Sequence, residues 1–458
     1  MRVPDNVFRA YDIRGIVDEQ LTRDFARGLG RAFASRVRQE VETPTLAVGQ
    51  DNRPSSGPLA DALAEGMTAS GADVLRVGTV PTPGLYFADH HFDADGSVQI
   101  TGSHNPPEYN GFKMVLGGGP FYGDEVQALR QRMIGEDFAE GSGREEERPD
   151  LLDRYVEAVA DRSPLPEPVS VVLDCGNGAG SVAAPDALRA AGADVECLYC
   201  ESDGTFPNHH PDPTVDENLE DLIDRVRSTG ADLGVALDGD ADRVGAVTGE
   251  GEIVRGDHLL LLLALDVLEN RPGAPVIFDV KCSQAVPEMI REAGGEPVMW
   301  KTGHSLIKEK MRQTSSPISG EMSGHIFFAD NWFGFDDAIY ASARLARLVA
   351  RSGRSLGDLL GDVPRYPSTP ELRLDCPEEE KFEVVREAVE HYRGSHEVVD
   401  VDGARVQFDG GWALIRASNT QPVVVVRLEA DSRERLAEIR DDVAALLGGH
   451  GIEVPRIP

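Results

Sequence analysis

The sequence predicts three similar mixed α/β domains in tandem and a C-terminal α+β domain with an antiparallel sheet, with one active-site cleft between all four. Three observations predict it. At 458 residues the chain is longer than a single hydrophobic core usually grows, so three or four domains are expected. Up to about residue 364 strand patterns alternate with helical ones in a βαβ rhythm. From about residue 365 the grammar changes to strand, helix, meander, strand and helix, as in an α+β unit. The expected domains are 1–147, 148–251, 252–364 and 365–458.

Composition narrows the partners. Apolar content is ordinary at 41%, but 79 acidic residues face 45 basic ones, and a net charge near −34 argues against nucleic acid or an anionic membrane. Lysine is scarce: Lys113, Lys281, Lys301, Lys308, Lys310 and Lys381 are all of it, and arginine carries the remaining positive charge. An acidic, lysine-poor surface predicts a cytoplasm of very high salt, where a Debye length of about 3 Å screens the self-repulsion. The N-terminus has no apolar targeting segment, and the longest apolar run, LLLLLALDVL from Leu259, is too short to span a bilayer and holds Asp266. A cytoplasmic location is expected. Five scattered cysteines fit a reducing compartment.

The first domain opens with FRAYDIRG, which sets Arg14 on a loop as a guanidinium able to fork onto a phosphate. Strand TLAVGQD, a helix from about Ser56 to Ser70 and strand ADVLRVG follow, then a second, proline-started helix in PTPGLYFADHHF. The run SVQI alternates as a short strand should and leads into TGSHNPPEYNGFKM. Here Gly102 is expected to turn the chain sharply, placing the Ser103 hydroxyl beyond the C-terminal end of a strand, where open α/β sheets keep their chemistry. Asn105-Pro106-Pro107 fixes the next turn, and Tyr109-Asn110-Gly111 a second that brings Lys113 back towards the serine. A bare Ser-His pair would be incidental; the whole string carries more information. Acid-rich GEDFAEGSGREEERPD reads as a solvated boundary near residue 147.

In the second domain, strand VSVVLDCGNGAG enters a glycine-rich turn that does not match a dinucleotide fingerprint. Cys197 and Cys200 have redox-motif spacing, but VECLYC reads as a strand whose positions three apart face opposite sides, so they are structural, and no second pair follows for zinc. Strand ADLGVAL then meets DGDADR. Alternate residues of an extended chain point the same way, so Asp238, Asp240 and Asp242 converge on one cation. An EF-hand is excluded, since Arg243 and Gly249 stand where its glycine and glutamate belong.

The third domain repeats the pattern through helix GDHLLLLLALDVLEN, strand PVIFDV with Lys281 at its end, and strand EPVMW leading to Lys301 and His304. In SPISGEMSGHIFF, Glu321, Ser323 and His325 alternate, and the first two suit vicinal sugar hydroxyls. A long helix, DDAIYASARLARLVARSG, closes the domain. Between late strands of the last domain, RASNTQP offers Arg416, Ser418, Asn419 and Thr420, a planar fork, two hydroxyls and an amide suited to a phosphate dianion.

TGSHNPPEYNGFK resembles the phosphoserine loop of the α-D-phosphohexomutases, and DGDADR, GEMSGH and RASNTQP extend the resemblance over most of the chain. It is most similar to the phosphomannomutase/phosphoglucomutase branch. The resemblance implies that Ser103 carries a phosphoryl group at rest, gives it to O6 of a hexose 1-phosphate, and takes the O1 phosphate back from a hexose 1,6-bisphosphate. It implies Mg²⁺ on Asp238, Asp240 and Asp242 with the phosphoserine oxygen of Ser103 as a further ligand, Arg243 assisting, Arg14 in the active site, Glu321 and Ser323 on O3 and O4, and Arg416, Ser418, Asn419 and Thr420 on the phosphate not in transfer. The family often has Glu where Gln421 stands. Arg14, Lys113, Arg243, Lys281, Lys301 and Arg416 concentrate positive charge for a dianionic sugar phosphate, and Lys113 is a proton-transfer candidate because lysine, unlike arginine, can shed a proton. His104, His304 and His325 are placed to steer or protonate, and the sequence does not decide among them. Mannose and glucose phosphates are both expected as substrates, since O3 and O4 are common to them. Glucosamine phosphate ranks third, because its mutases tend to have Gln at the place of Met322 and Pro-Ser-Gly at that of Ala417-Ser418-Asn419. A phosphatase would admit water at the phosphoserine, and a non-catalytic binder would need neither Ser103 nor Lys113.

Overall fold

The computed structural model describes residues 2–418 and 421–456. They build four sheets in sequence order. The first runs Ile13–Ile16, Tyr109–Leu116, Gly96–Ile100, Thr45–Gln50, Asp73–Thr79, Glu145–Glu147, with Gly119–Pro120 paired to the second of these. Its central strands are parallel, and Tyr109–Leu116 returns antiparallel against Gly96–Ile100. Arg14 therefore lies in a strand, opposite Gly111, rather than on a loop. The stretch read as a solvated boundary is also more ordered than expected. Glu145–Glu147 forms a parallel edge strand on Asp73–Thr79 with all three side chains exposed. An edge strand needs only backbone hydrogen bonds, so its side chains carry no apolar signature.

The second sheet orders Ile253–Val254, Val244–Thr248, Leu233–Leu237, Ser170–Asp174, Asp194–Leu198, and the third Glu296–Trp300, Pro275–Asp279, Ile318–Gly320, Ile326–Phe328, Phe335–Asp336. Both mix parallel and antiparallel pairs. The strand read through Cys200 ends at Leu198: Tyr199 takes a positive φ of 51°, and the turn brings Cys200 Sγ to 3.3 Å from Cys175 Sγ. The last sheet, Leu372–Asp375, Val423–Ala430, Gly411–Ala417, Ala404–Phe408, Glu397–Val399, is antiparallel throughout. The architecture is thus three α/β domains and a C-terminal α+β domain.

The leucine run explains how the middle of the molecule holds together. Helix Gly256–Asn270 buries Leu259 to Leu263 in succession, so it is apolar on every side, as an internal helix must be. It belongs to a core that runs on into the second domain and touches the first, whereas the last domain has its own core. That domain docks through Trp412 and Leu414 on Val280, and Arg405 donates to the Val280 and Cys282 carbonyls (2.5 and 2.9 Å). Among the described residues no helix is long and apolar enough to cross a membrane.

Candidate active site

Ser103 follows the central strand Gly96–Ile100 and is buried, with φ of 50°. A non-glycine residue in the left-handed region is held there by its surroundings. Here Arg53 does the holding: its fully buried guanidinium donates to the carbonyls of Ser103 (2.7 Å), Asn105 (2.6 Å), Pro106 (2.7 Å) and Tyr109 (3.1 Å), and to Asp51 (3.1 Å). Asp51 in turn accepts the Gly102 N–H at 3.0 Å. Gly102 serves this clamp rather than a sharp turn, since a Cβ there would lie 2.5 Å from the Arg53 guanidinium. The sequence carries no local signal for Arg53 and Asp51, since about fifty residues separate them from the loop they fix.

The Ser103 Oγ lies 3.0 Å from Asp238 Oδ2 and 3.1 Å from His104 Nδ1. Burial first, then Arg243 and Arg14, hold the His104 pKa well below its ordinary value, so its ring is neutral. Asp238, Asp240 and Asp242 are fully buried, and one carboxylate oxygen of each lies within 4.8 Å of the others. They converge on a turn, not on an extended chain as the alternation suggested: Ala241 has φ of 59°, and its N–H returns to the Asp238 carbonyl at 3.1 Å. Asp238 Oδ1 accepts the N–H groups of Asp242 and Arg243, both at 3.1 Å. Thr82, another residue the sequence did not flag, donates to Asp240 at 2.5 Å. Burial and then the neighbouring Asp242 and Asp240 push the Asp238 pKa well up.

Lys113 Nζ is a counter-ion to this cluster, 2.7 Å from Asp240 and also bonded to Asp242. Burial alone would lower its pKa, but Asp240 and Asp242 outweigh it and hold it well above the usual value, opposite to what ready proton loss needs. Asp240 Oδ1 and Asp242 Oδ1 are buried without a hydrogen-bond partner. Unsatisfied buried carboxylate oxygens are costly, and hard oxygen donors at this spacing suit a divalent cation, so the residues fit a metal ion.

Loops of the other two domains close on the same place. Arg243 Nε donates to His325 Nε2 at 3.0 Å, across a bridge between the second and third sheets. Glu321, Ser323 and His325 sit on a tight turn rather than along a strand: the Glu321 N–H meets the His325 carbonyl at 2.9 Å. Glu321 accepts the Gly303 N–H at 2.5 Å and the Ser323 hydroxyl at 3.1 Å. His304 starts helix His304–Thr314, its pKa held well down by burial and then Lys308. Tyr11 donates to the Thr302 carbonyl at 3.2 Å, joining the first domain to the third.

Arg416 bonds Asp402 at 2.7 Å, and Asp402 also accepts the Thr302 N–H at 3.0 Å, tying the last domain to this loop. Lys281 bonds Glu371 at 3.3 Å, and it lies within electrostatic reach of Glu321 and Arg416. Arg14 pairs with Asp12 at 2.6 Å. Ser418 is buried and its hydroxyl accepts the Gln421 N–H at 3.2 Å, while Asn419 and Thr420 lie outside the described residues. Lys301 is exposed, and among the described residues no hydrogen bond or ion pair ties it to the others.

Fold and cleft together define the class: a multidomain α/β enzyme in which loops from strand ends bring together a serine, three carboxylates and several cations. Comparison with known proteins carries this further. Models of phosphoglucomutase/phosphomannomutase alpha/beta/alpha domains I, II and III match residues 5–140, 153–251 and 255–366, and that of the C-terminal domain matches 371–446. The phosphomannomutase/phosphoglucomutase of Pseudomonas putida is 47% identical over 441 residues, covering 96% of this chain and 95% of the relative. The phosphoglucomutase of Neisseria gonorrhoeae is 43% identical over 447 residues, with 96% of each covered. A crystal structure of a phosphoglucomutase/phosphomannomutase family protein from Burkholderia thailandensis superposes with a TM-score of 0.93 at 44% identity over 98% of both chains. The chain belongs to the phosphoglucomutase/phosphomannomutase family and is a mutase, hence an isomerase.

Proposed function

We propose that the protein interconverts hexose 1-phosphates and hexose 6-phosphates, with mannose and glucose both accepted, through a phosphoserine at Ser103 and a bound hexose 1,6-bisphosphate. The observation that carries this reading is the buried Ser103 hydroxyl, fixed by Arg53 and 3.0 Å from the first of three converging aspartates. The Pseudomonas putida relative, named for both sugars, supports the dual specificity, while the Neisseria gonorrhoeae relative is named for glucose alone. Asp238, Asp240, Asp242 and the phosphoseryl oxygen would hold Mg²⁺, which when bound neutralises charge on the phosphoryl group. Arg243 and Lys113 add fixed positive charge beside Ser103, in a buried setting where it acts strongly and water is excluded. His325, its Nε2 facing Arg243, takes the proton of the attacking sugar hydroxyl. Glu321 and Ser323 orient the ring through O3 and O4, and Arg416, Ser418, Asn419, Thr420, Lys281, Lys301, His304 and Arg14 hold the substrate and its second phosphate. The acidic surface suits a cytoplasm of high salt.

Intact mass tests the covalent step. The purified protein should carry one phosphoryl group that Ser103→Ala lacks, and that variant should lose turnover while keeping its melting profile. Comparison of kcat/KM for mannose, glucose and glucosamine 1-phosphates in high salt tests the sugar range. A gap above about 10³ between the first two, or glucosamine phosphate in first place, would overturn it.

A further inference from the structure

We propose that Asp279 is a positioning residue of the sugar site: it sets segment 301–304 against turn 321–325 and so aims Glu321 and Ser323 at the sugar hydroxyls, a role that rests on the mutase reading above. The topology puts Asp279 where it can do this. Strand Pro275–Asp279 has a parallel neighbour on each side, Glu296–Trp300 and Ile318–Gly320, so all three end at the same edge of the third sheet. Segment 301–304 leaves the first neighbour and turn 321–325 leaves the second. Asp279 ends the strand between them, level with Trp300 and one step beyond the pair of Phe278 and Gly320, so its side chain meets both departures. Open α/β sheets bind their ligands outside this end of the strands.

The contacts follow the topology. Asp279 is fully buried. Its Oδ2 accepts the Thr302 hydroxyl at 2.9 Å, while its Oδ1 accepts the Met322 N–H at 3.2 Å and the Cys282 thiol at 3.0 Å. Burial and then Asp279 itself push the Cys282 pKa well up, so the thiol keeps the hydrogen it donates. Lys281 Nζ, 3.8 Å from Oδ2, supplies the opposite charge that a buried carboxylate needs. Burial alone would lower the Lys281 pKa, but Asp279 and then Glu371 outweigh it and hold it above its ordinary value, so the ammonium stays charged. One carboxylate thus ties together the segments that carry Lys281, His304 and Glu321.

What this tie protects is the aim of Glu321. One Glu321 oxygen accepts the Gly303 N–H and the other the Ser323 hydroxyl, so the carboxylate is oriented by the segment opposite it. Thr302 precedes Gly303 and Met322 follows Glu321, which means that Asp279 grips the chain beside both ends of that contact. The main chain of Thr302 is tied to the last and first domains by Asp402 and Tyr11, whereas its side chain ties it to Asp279 and through it to Met322. Loss of Asp279 therefore lets the segment and the turn drift apart, and the Glu321 carboxylate with them. O3 and O4 take no part in the bonds made and broken, so their contacts count alike before and during the transfer, and their loss should appear mainly in KM.

The test measures kcat/KM for glucose 1-phosphate and for its 3-deoxy and 4-deoxy analogues in wild type, Asp279→Ala and Thr302→Val, the last of which removes the hydroxyl that bonds Asp279. Wild type should lose about 10²-fold with at least one analogue, as a hydroxyl held by a charged acceptor requires. Asp279→Ala should be poorer on glucose 1-phosphate by about 10²-fold, mainly through KM, and should lose less than about threefold further with the same analogue. Thr302→Val should fall between the two on both counts, and it decides by the same criterion if Asp279→Ala does not fold. A variant that still loses about 10²-fold with the analogue would overturn the proposal however slow it is, since its sugar contacts are then intact. A wild type indifferent to both analogues would remove Glu321 and Ser323 from O3 and O4, and this inference with them, while its turnover of glucose 1-phosphate kept the mutase reading. A wild type that turned over no hexose 1-phosphate would end the mutase reading itself.

Discussion

A single guanidinium, that of Arg53, holds the backbone of the Ser103 loop through the Ser103 and Asn105 carbonyls. Ser103, Asp238, Asp240 and Asp242 stand in short strings whose composition points to phosphate and metal. Arg53 stands in an ordinary NRP triplet, and its importance appears only when folding lays four backbone carbonyls around one guanidinium. Replacing Arg53 by Met would leave Asp51 and those carbonyls buried without their donor. Loss of one partner of a buried ion pair costs about 3–5 kcal/mol. Freed from the clamp, the Ser103 loop should also drop turnover by about 10²-fold, as a reacting atom displaced by an ångström does. Urea midpoints and kcat measured together check both, and an Arg53→Met enzyme of wild-type kcat would show that the clamp is irrelevant to the serine. Metal removal is a second expectation at this scale: the partnerless oxygens of Asp240 and Asp242 predict that EDTA abolishes turnover and that Mg²⁺ restores it, with Asp240→Asn needing more metal. Full activity after EDTA would remove the metal assignment.

Elements are legible in the sequence where side chains decide them and hidden where the backbone does. The leucine run of Gly256–Asn270 reads as a helix, and the structure buries it. The edge strand Glu145–Glu147 and the turns carrying Asp238 to Asp242 and Glu321 to His325 are set by backbone hydrogen bonds, which leave no apolar pattern. The start of helix Ala338–Ser352 shows how much one position can hold. Asp337 caps it by accepting the Tyr340 N–H at 2.8 Å, and it also receives the Tyr155 hydroxyl (2.8 Å) and the Trp332 indole N–H (3.1 Å), while Asp336 beside it points into the cleft. Burial outweighs these bonds and pushes the Asp337 pKa from 3.8 up to about 7. An acid whose folded pKa is raised binds its proton more tightly when folded. Its effect on stability is therefore a loss that grows as pH rises from about 4 to about 7, by about 1.4 kcal/mol per unit. Asp337→Asn removes this titration, so the stability difference between variant and wild type should shift towards the variant between pH 5 and pH 8. Parallel urea-derived stabilities across that range would refute it.

At the scale of the whole molecule, charge is sorted by position. Four of the six lysines, Lys113, Lys281, Lys308 and Lys381, are buried, each bonded to a carboxylate. Arginine serves in both settings: Arg53, Arg344 and Arg416 are buried beside carboxylates, while Arg27 with Glu65 and Arg255 with Asp216 pair at the surface. Exposed pairs of this kind contribute about 0–1 kcal/mol each, too little to offset a net charge of −34. The high-salt reading therefore expects stability to depend on screening. The Debye length is about 3 Å at 1 M salt and about 10 Å at 0.1 M, so carboxylates that ignore each other in the first condition repel in the second. The buried cations of the cleft are shielded from this change by the protein around them, which predicts that salt acts on the fold before it acts on the site. A melt in molar KCl should give a Tm higher by roughly 10 °C or more than one in dilute buffer, since each kcal/mol moves the Tm of a domain of about 100 residues by about 4–8 °C. In the dilute buffer, below its lowered Tm, the protein should still bind sugar phosphate. A Tm unchanged between the two buffers would show that the acidic surface is not an adaptation to salt, while leaving the mutase reading intact.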